Sequence, residues 1–380
     1  MRLLFVPDSF KGSLSSTVMC QLLEEEAHRV FPQAECISIP MADGGEGTVE
    51  AMVSACGGEI GMLPVVGPDG RAVQAAYGVI ADEDDDAAVV EMAQASGLPL
   101  MAKPDPMTAT SFGTGMLLRH CLEAGYHRIY VGIGGSATND GGMGMLTALG
   151  ARFLDAQGRD LTGSGAELMQ VHTVDLSELM PEAIHADIRV MADVNNPLLG
   201  ENGATMVYGP QKGATPEQIF HLEAGMAHYA DVLEQAIGRS IRNLPGAGAA
   251  GGMGAALCGV LHGSITPGMD VMLAVSHLRE RLPGTSLVIT GEGCLDKQSI
   301  CYGKICGVIA GLCADAHVPV LAIVGGMGEG SEDFARLGLT SVMPITPGPM
   351  SLAEAITAAQ ALYADAAARA FRMLQMGTRL

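Results

Sequence analysis

Arg2-Leu3-Leu4-Phe5-Val6-Pro7-Asp8-Ser9-Phe10-Lys11-Gly12-Ser13-Leu14-Ser15 opens the chain and decides its fold class. The unbroken apolar run predicts a strand over 2–6 buried on both faces, as parallel sheets require. Pro7 and Asp8 end that run, Gly12 permits a tight loop, and Ser15 or Ser16 is placed to cap a helix over 15–31. A second strand over 36–40 leads into Ala42-Asp43-Gly44-Gly45-Glu46-Gly47-Thr48 and a helix over 47–55. This is a βαβα start. In open α/β sheets ligands bind outside the carboxyl ends of the strands. Asp8, Ser9, Lys11, Asp43, Gly44 and Gly45 all fall there.

From residue 63 the character changes. Val65-Val66-Gly67-Pro68-Asp69-Gly70-Arg71-Ala72-Val73 and 75–80 read as short strands around a Pro-Asp-Gly turn, antiparallel in style. Helices over 114–124, 143–149 and 216–237 then alternate with strands over 128–133 and 188–192. The last third returns to clean alternation, with strands over 286–290, 320–324 and 341–345 and a closing helix over 352–373. Two opening strands cannot make a stable sheet alone, so they are expected to pair with these. The expected fold is therefore α/β: a discontinuous Rossmann-like parallel-sheet domain, 1–65 plus 283–380, holding a second, inserted α/β domain over 66–282. No fixed-period repeat is visible.

The 380 residues carry a formal net charge of −21 with only 21 Lys and Arg, which argues against nucleic acid or an anionic membrane as partner. The acidic run Asp82-Glu83-Asp84-Asp85-Asp86 lacks the alternation and Gly of a calcium loop and reads as a solvated hairpin tip. Nine Cys, odd in number and without a CxxC pair, point to reduced thiols and a cytoplasmic protein. No stretch is long and apolar enough for a signal sequence or membrane span. A homo-oligomer is compatible with all of this.

Against so acidic a background, the few Lys in Gly-rich loops are telling. Gly134-Gly135-Ser136-Ala137-Thr138-Asn139-Asp140-Gly141-Gly142 follows a strand and precedes a helix, a pattern suited to phosphate or carboxylate. Asp193, in Ala192-Asp193-Val194-Asn195-Asn196-Pro197, could accept an alcohol proton or hold a magnesium-bound water. Tyr208-Gly209-Pro210-Gln211-Lys212-Gly213 supplies a further Lys, and 246–254 is a run of small residues. Thr290-Gly291-Glu292-Gly293-Cys294-Leu295-Asp296-Lys297-Gln298-Ser299, with Gly303-Lys304 at an expected helix start, combines carboxylates and Lys in a way that suits magnesium and phosphate. Lys297 is expected to lower the pKa of Cys294 and make it reactive. No P-loop is present, and no GxGxxG follows the first strand.

The loops over 7–15, 42–48, 132–142, 192–197, 209–213, 246–254 and 291–304, in this order and spacing, resemble the hallmark segments of the bacterial glycerate kinase family. The resemblance implies two α/β domains with a cleft between them, and transfer of the γ-phosphate of ATP to D-glycerate, with magnesium as cofactor. The 2-hydroxyl is the expected acceptor; the 3-hydroxyl, a related hydroxy acid and a metal-dependent phosphatase stand as alternatives. Lys11, Asp43, Asp193 and Asp296 are the catalytic candidates. Gly134, Gly135, Ser136, Thr138, Gly291, Glu292 and Lys304 are expected at ATP; Asp8, Ser9, Lys11, Gly44, Gly45 and Lys212 at the acid substrate; Asp193, Glu292 and Asp296 at the metal. The family usually has Arg and a small residue where this chain has Cys294 and Lys297, and polar residues in place of Phe112 and Met116. The chain also has one residue more between Ser299 and Gly303. These departures bear on substrate preference and rate.

Overall fold

The computed structural model describes residues 1–82, 85–297 and 304–377. The chain divides into two compact units. The first comprises Met1–Ala42, Glu50–Cys56 and Met272–Leu380, the second Asp43–Val49 and Gly57–Val271.

In the first unit five strands form a parallel sheet, ordered Ser341–Pro344, Val320–Val324, Leu287–Gly291, Arg2–Pro7, Glu35–Ser38. The opening strand is internal, with Leu3 opposite Leu287 and Val6 opposite Thr290. Leu3 through Val6 are wholly buried, which is why the run carries no polar alternation. Helices Ser16–Val30 and Ala359–Gly377 pack on the face that presents Leu3, Phe5, Ile289 and Ile323. Phe371 meets Phe5 edge-on at 6.3 Å, and Tyr363 meets Phe10 at 5.7 Å. Ser15 is the N-cap of the first helix, accepting from the Val18 N–H at 3.3 Å. The closing helix expected over 352–373 is two helices, Leu352–Thr357 and Ala359–Gly377. At Ala358 the N–H turns back to the Glu354 and Ile356 carbonyls and tightens the last turn of the first.

The second unit holds a six-stranded sheet in the order Ser264–Thr266, Asp187–Met191, Arg128–Gly132, Asp85–Glu91, Ala72–Asp82, Gly58–Val66. The first four strands are mutually parallel and the last two are added as antiparallel neighbours. The boundary expected after residue 65 thus falls inside a strand, because Gly58–Val66 pairs along its whole length with Ala72–Asp82. The chain returns to the first unit at 272 rather than 283.

Asp82 pairs with Asp85 at the acidic hairpin, whose Glu83 and Asp84 lie outside the described residues. Asp85 and Asp86 are exposed as expected, but Asp82 is buried, taking Arg128 Nη1 at 2.9 Å and the Tyr130 hydroxyl at 2.7 Å. Among the described residues no helix is long and apolar enough to cross a membrane.

The long helix Pro216–Ile237 starts at a capping box in which Thr215 accepts the Gln218 N–H at 3.3 Å and Gln218 accepts the Thr215 N–H at 2.8 Å. Thr215→Ala is expected to cost about 0.5–2 kcal/mol and Thr215→Ser close to nothing. Urea denaturation of the three proteins checks this.

Candidate active site

In the first unit the loops at the carboxyl ends of three neighbouring strands brace one another. The Asp8 N–H donates to the Gly291 carbonyl at 2.9 Å, tying the first loop to the end of Leu287–Gly291. Thr290 Oγ1 donates to the Val6 carbonyl at 2.8 Å. Asp8 Oδ1 accepts the Ser9 N–H at 2.7 Å, and a bridge between Phe10 and Leu14 closes the loop around Lys11 and Gly12, both exposed.

The loop after Leu287–Gly291 is stitched to the loop after Val320–Val324 through the two-residue parallel pairing of Cys294–Leu295 with Gly326–Met327. Further bonds run from the Gly325 N–H to the Glu292 carbonyl at 3.1 Å and from the Lys297 N–H to the Glu329 carbonyl at 2.8 Å. This bracing holds Glu292, 5% exposed, and Asp296, whose Oδ1 lies 3.6 Å from Lys304 Nζ. Burial, together with the adjacent Glu292 carboxylate, pushes the Cys306 thiol well above its ordinary range. Cys294 is exposed, but its pKa is raised rather than lowered: partial burial and the Asp296 and Glu292 carboxylates outweigh Lys304. Ser299 and Gly303, where the chain carries its apparent extra residue, lie outside the described residues.

In the second unit the stretch 43–47 lies across the ends of the parallel strands. Gly44 adopts a φ of +90°, and a side chain there would collide with the Met191 carbonyl. The Gly134 N–H donates to the Gly44 carbonyl at 2.9 Å. Asp43 Oδ1 accepts the Gly45 N–H at 3.0 Å, while Asp193 Oδ1 accepts from the N–H of Gly268, which packs on the Asp43 backbone, at 2.9 Å. Asp43 and Asp193, distant in sequence, are thereby brought to one place around Gly268.

Glu91, which the sequence reading passed over, underpins that stretch. It ends the strand Asp85–Glu91, is fully buried, and accepts the Gly47 and Val49 N–H groups at 3.2 Å each. A carboxylate so placed complements the amino end of the helix Thr48–Cys56. The only signal in the sequence is a single Glu closing an apolar strand.

The loop 134–142 carries Ser136, 7% exposed, and Thr138, fully buried. Asp140 is buried beneath it, accepting the Ser111 N–H at 2.8 Å, Ser111 Oγ at 2.6 Å, the Gly142 N–H at 3.1 Å and the Gly144 N–H at 3.3 Å. Burial raises its pKa despite those four donors. Lys212, expected at the acid substrate, is 1% exposed and donates from Nζ to the Thr138 carbonyl at 2.6 Å. Its ammonium is thus engaged by the loop's own backbone. Burial lowers its pKa to about 7, with Asp140 opposing the shift.

Among the described residues no three or more His, Cys, Asp or Glu converge as a metal site. Of the metal candidates, Glu292 and Asp296 share one braced loop of the first unit, and Asp193 belongs to the second. Magnesium commonly takes only one or two protein carboxylates, completing its shell with phosphate and water, so the pair on the braced loop fits that ion.

Two units with parallel-stranded sheets, each carrying acidic and Gly-rich loops at strand carboxyl ends, define an α/β protein whose polar loops stand where ligands bind in such sheets. The family model for the glycerate kinase family matches residues 3–375. A glycerate 2-kinase of Escherichia coli K12 is 42% identical over 361 residues, covering 94% of each chain. A glycerate kinase of Halalkalibacterium halodurans is 41% identical over 367 residues, covering 96% of each. A crystal structure from Salmonella typhimurium LT2, of a protein assigned as glycerate kinase 2, superposes with a TM-score of 0.85 at 39% identity over 100% of both chains. The chain belongs to the glycerate kinase family.

Lys212 also sets a pH dependence of stability. Unfolded, its amine holds a proton up to about 10.5; folded, it gives the proton up near 7. Between these values the unfolded state binds more protons, so stability attributable to this residue rises with pH from about 7 to about 10.5. Relative to Lys212→Met, the wild-type protein is expected to gain melting temperature across that window. Thermal scans of both proteins from pH 6 to 10 check it, and parallel curves would refute it.

Proposed function

We propose that this protein transfers the γ-phosphate of ATP to the 2-hydroxyl of D-glycerate, releasing 2-phosphoglycerate and ADP. The observation that carries this reading is membership of the glycerate kinase family over nearly the whole chain, with strand-end loops that hold carboxylates, Lys and backbone N–H groups. The E. coli relative, named as a 2-kinase, supports the 2-position.

In the transfer, the substrate hydroxyl oxygen bonds to the γ-phosphorus as the bond to the β–γ bridging oxygen breaks, and the hydroxyl proton goes to a carboxylate. Asp43 and Asp193, both held by backbone N–H groups, are the candidates for that base. Lys11, on its exposed loop with Asp8 and Ser9, supplies positive charge for the substrate carboxylate or the moving phosphate. Gly44 and Gly45 offer backbone to the acid substrate. Gly134, Gly135, Ser136 and Thr138 are the second unit's candidates for ATP, and Gly291 and Lys304 are the first unit's. Glu292 and Asp296 of the first unit are the residues that would hold magnesium, which would neutralise phosphate charge when bound.

Turnover is read as ADP release over a panel of small hydroxy acids, with the phosphorylated position fixed by phosphorus NMR. Release is expected to require both D-glycerate and magnesium. Turnover in excess chelator would count against a magnesium-dependent kinase, and phosphate release from phosphoglycerate without ATP would favour the phosphatase reading. Lys11→Ala is expected to lower kcat/KM by about a hundredfold or more, while an exposed loop position shifts stability by no more than about 0.5 kcal/mol. Near-wild-type kinetics would remove Lys11 from the machinery.

A further inference from the structure

Under the loop 134–142 lie two buried groups of opposite charge, Asp140 and Lys212. Lys212 arrives on the short turn Pro210–Lys212, which is tied to the same loop from a second direction. Asn139 Nδ2 donates to Thr205 Oγ1 at 3.1 Å, and the Thr205 carbonyl accepts the Gly209 N–H at 2.8 Å. Gly251 presses on the Thr138 carbonyl and the Asn139 backbone, and its own carbonyl accepts the Gly141 N–H at 3.0 Å. The loop is therefore gripped along its length, and at the Thr138 carbonyl the grip is a buried amine that can carry a positive charge.

Stability alone does not account for that charge. Burying an ammonium and a carboxylate together is costly, and apolar side chains in place of both commonly serve stability as well or better. The peptide geometry suggests what the charge is for. The Thr138 carbonyl and the Asn139 N–H share one rigid plane and point in opposite directions. Fixing the carbonyl on Lys212 therefore aims that N–H away from Lys212. The ammonium also offsets the Asp140 carboxylate, whose field would otherwise repel any anion bound at the loop.

We propose that Lys212 is a positioning residue for ATP: it pins the Thr138 peptide so that the Asn139 N–H and the Ser136 and Thr138 hydroxyls meet a nucleotide phosphate, and it offsets the Asp140 charge beneath them. This rests on the assignment of the loop 134–142 to ATP. Lys212 touches no substrate in this account.

The test uses the full-length enzyme with Lys212→Met, Lys212→Arg and, as a control on the loop itself, Ser136→Ala. Lys212→Met is expected to lose about thirtyfold or more in kcat/KM for ATP at temperatures well below its melting point, with KM for the acid substrate changed less than about threefold. Lys212→Arg is expected to recover most of the loss. A Lys212→Met enzyme with wild-type kcat/KM for ATP overturns the proposal, as does a loss that Arg does not rescue and that follows the melting temperature. If Ser136→Ala also leaves every ATP parameter unmoved, the assignment of the loop is wrong and the proposal falls with it. A moved ATP KM in Ser136→Ala beside unchanged kinetics in Lys212→Met rejects the role of Lys212 alone.

Should Lys212→Met fail to fold, wild-type calorimetry decides. A bound phosphate favours the ammonium of Lys212, on which Asp140 acts directly, with Tyr229 in turn facing Asp140. Binding of a non-hydrolysable ATP analogue at pH 8, measured in buffers of different ionisation enthalpy, is expected to take up a proton. Absence of uptake counts against the proposal.

Discussion

At Gly44 two stretches of backbone pass so close that no side chain fits between them, with the Met191 carbonyl where a Cβ would stand. The arrangement of the second unit's strand ends follows from that contact. Because Gly44 lies flat on the end of Asp187–Met191, its own carbonyl can reach the Gly134 N–H at the end of the neighbouring strand. The stretch 43–47 is thus registered by the sheet it crosses, and the buried Glu91 carboxylate fixes its far end. Asp43 and Asp193 owe their common neighbour, Gly268, to this backbone packing rather than to any attraction between carboxylates, which would repel.

The first unit is assembled from the two ends of the chain. Leu3 pairs with Leu287 and the Val6 carbonyl accepts from Thr290, so the internal strand pair joins residues separated by most of the sequence. Parallel pairing at such separation is slow to form, because loop-closure entropy is lost before any contact repays it. The Asp8 N–H that meets Gly291, and the bracing around Glu292 and Asp296, can therefore form only once the carboxy-terminal strands are in place. The polar loops of this unit and its sheet are completed together.

Much of this was legible in the sequence. The apolar runs at Leu3–Val6 and 320–324 carry no alternation because both faces of their strands are covered, and burial of this kind is written directly into composition. Pro216 and the Thr215–Gln218 box likewise mark a helix start by local chemistry. The domain boundary was not legible, because Gly58–Val66 is assigned by its partner strand and nothing within it says which sheet it joins. Asp82 looks like one more acidic residue in a run, until Arg128 and Tyr130 arrive from another strand. Lys297 looks like the neighbour that should govern Cys294, whereas the loop's path gives that part to Asp296, Lys304 and Glu292.

Lys212 marks where sequence reading meets its limit and why. A Lys between glycines in an acidic protein reads as a hand held out to an anion, since exposed Lys is the rule. Its burial depends on three distant contributions: the Thr138 carbonyl that receives it, the Pro104 backbone that packs on Gly213, and Asp140, which balances its charge. None of these is encoded near residue 212. A group sealed beneath a loop cannot reorganise as solvent does, so the place from which its charge acts on the loop's ligand is fixed at folding. Fixed fields of this sort stabilise developing charge without reorganisation at the moment of reaction, which is the benefit that can offset their cost in stability. On that argument the buried charges of the second unit, Glu91 under one strand-end loop and Asp140 with Lys212 under another, share one use: each sets the orientation of backbone dipoles that the chain itself leaves free to turn.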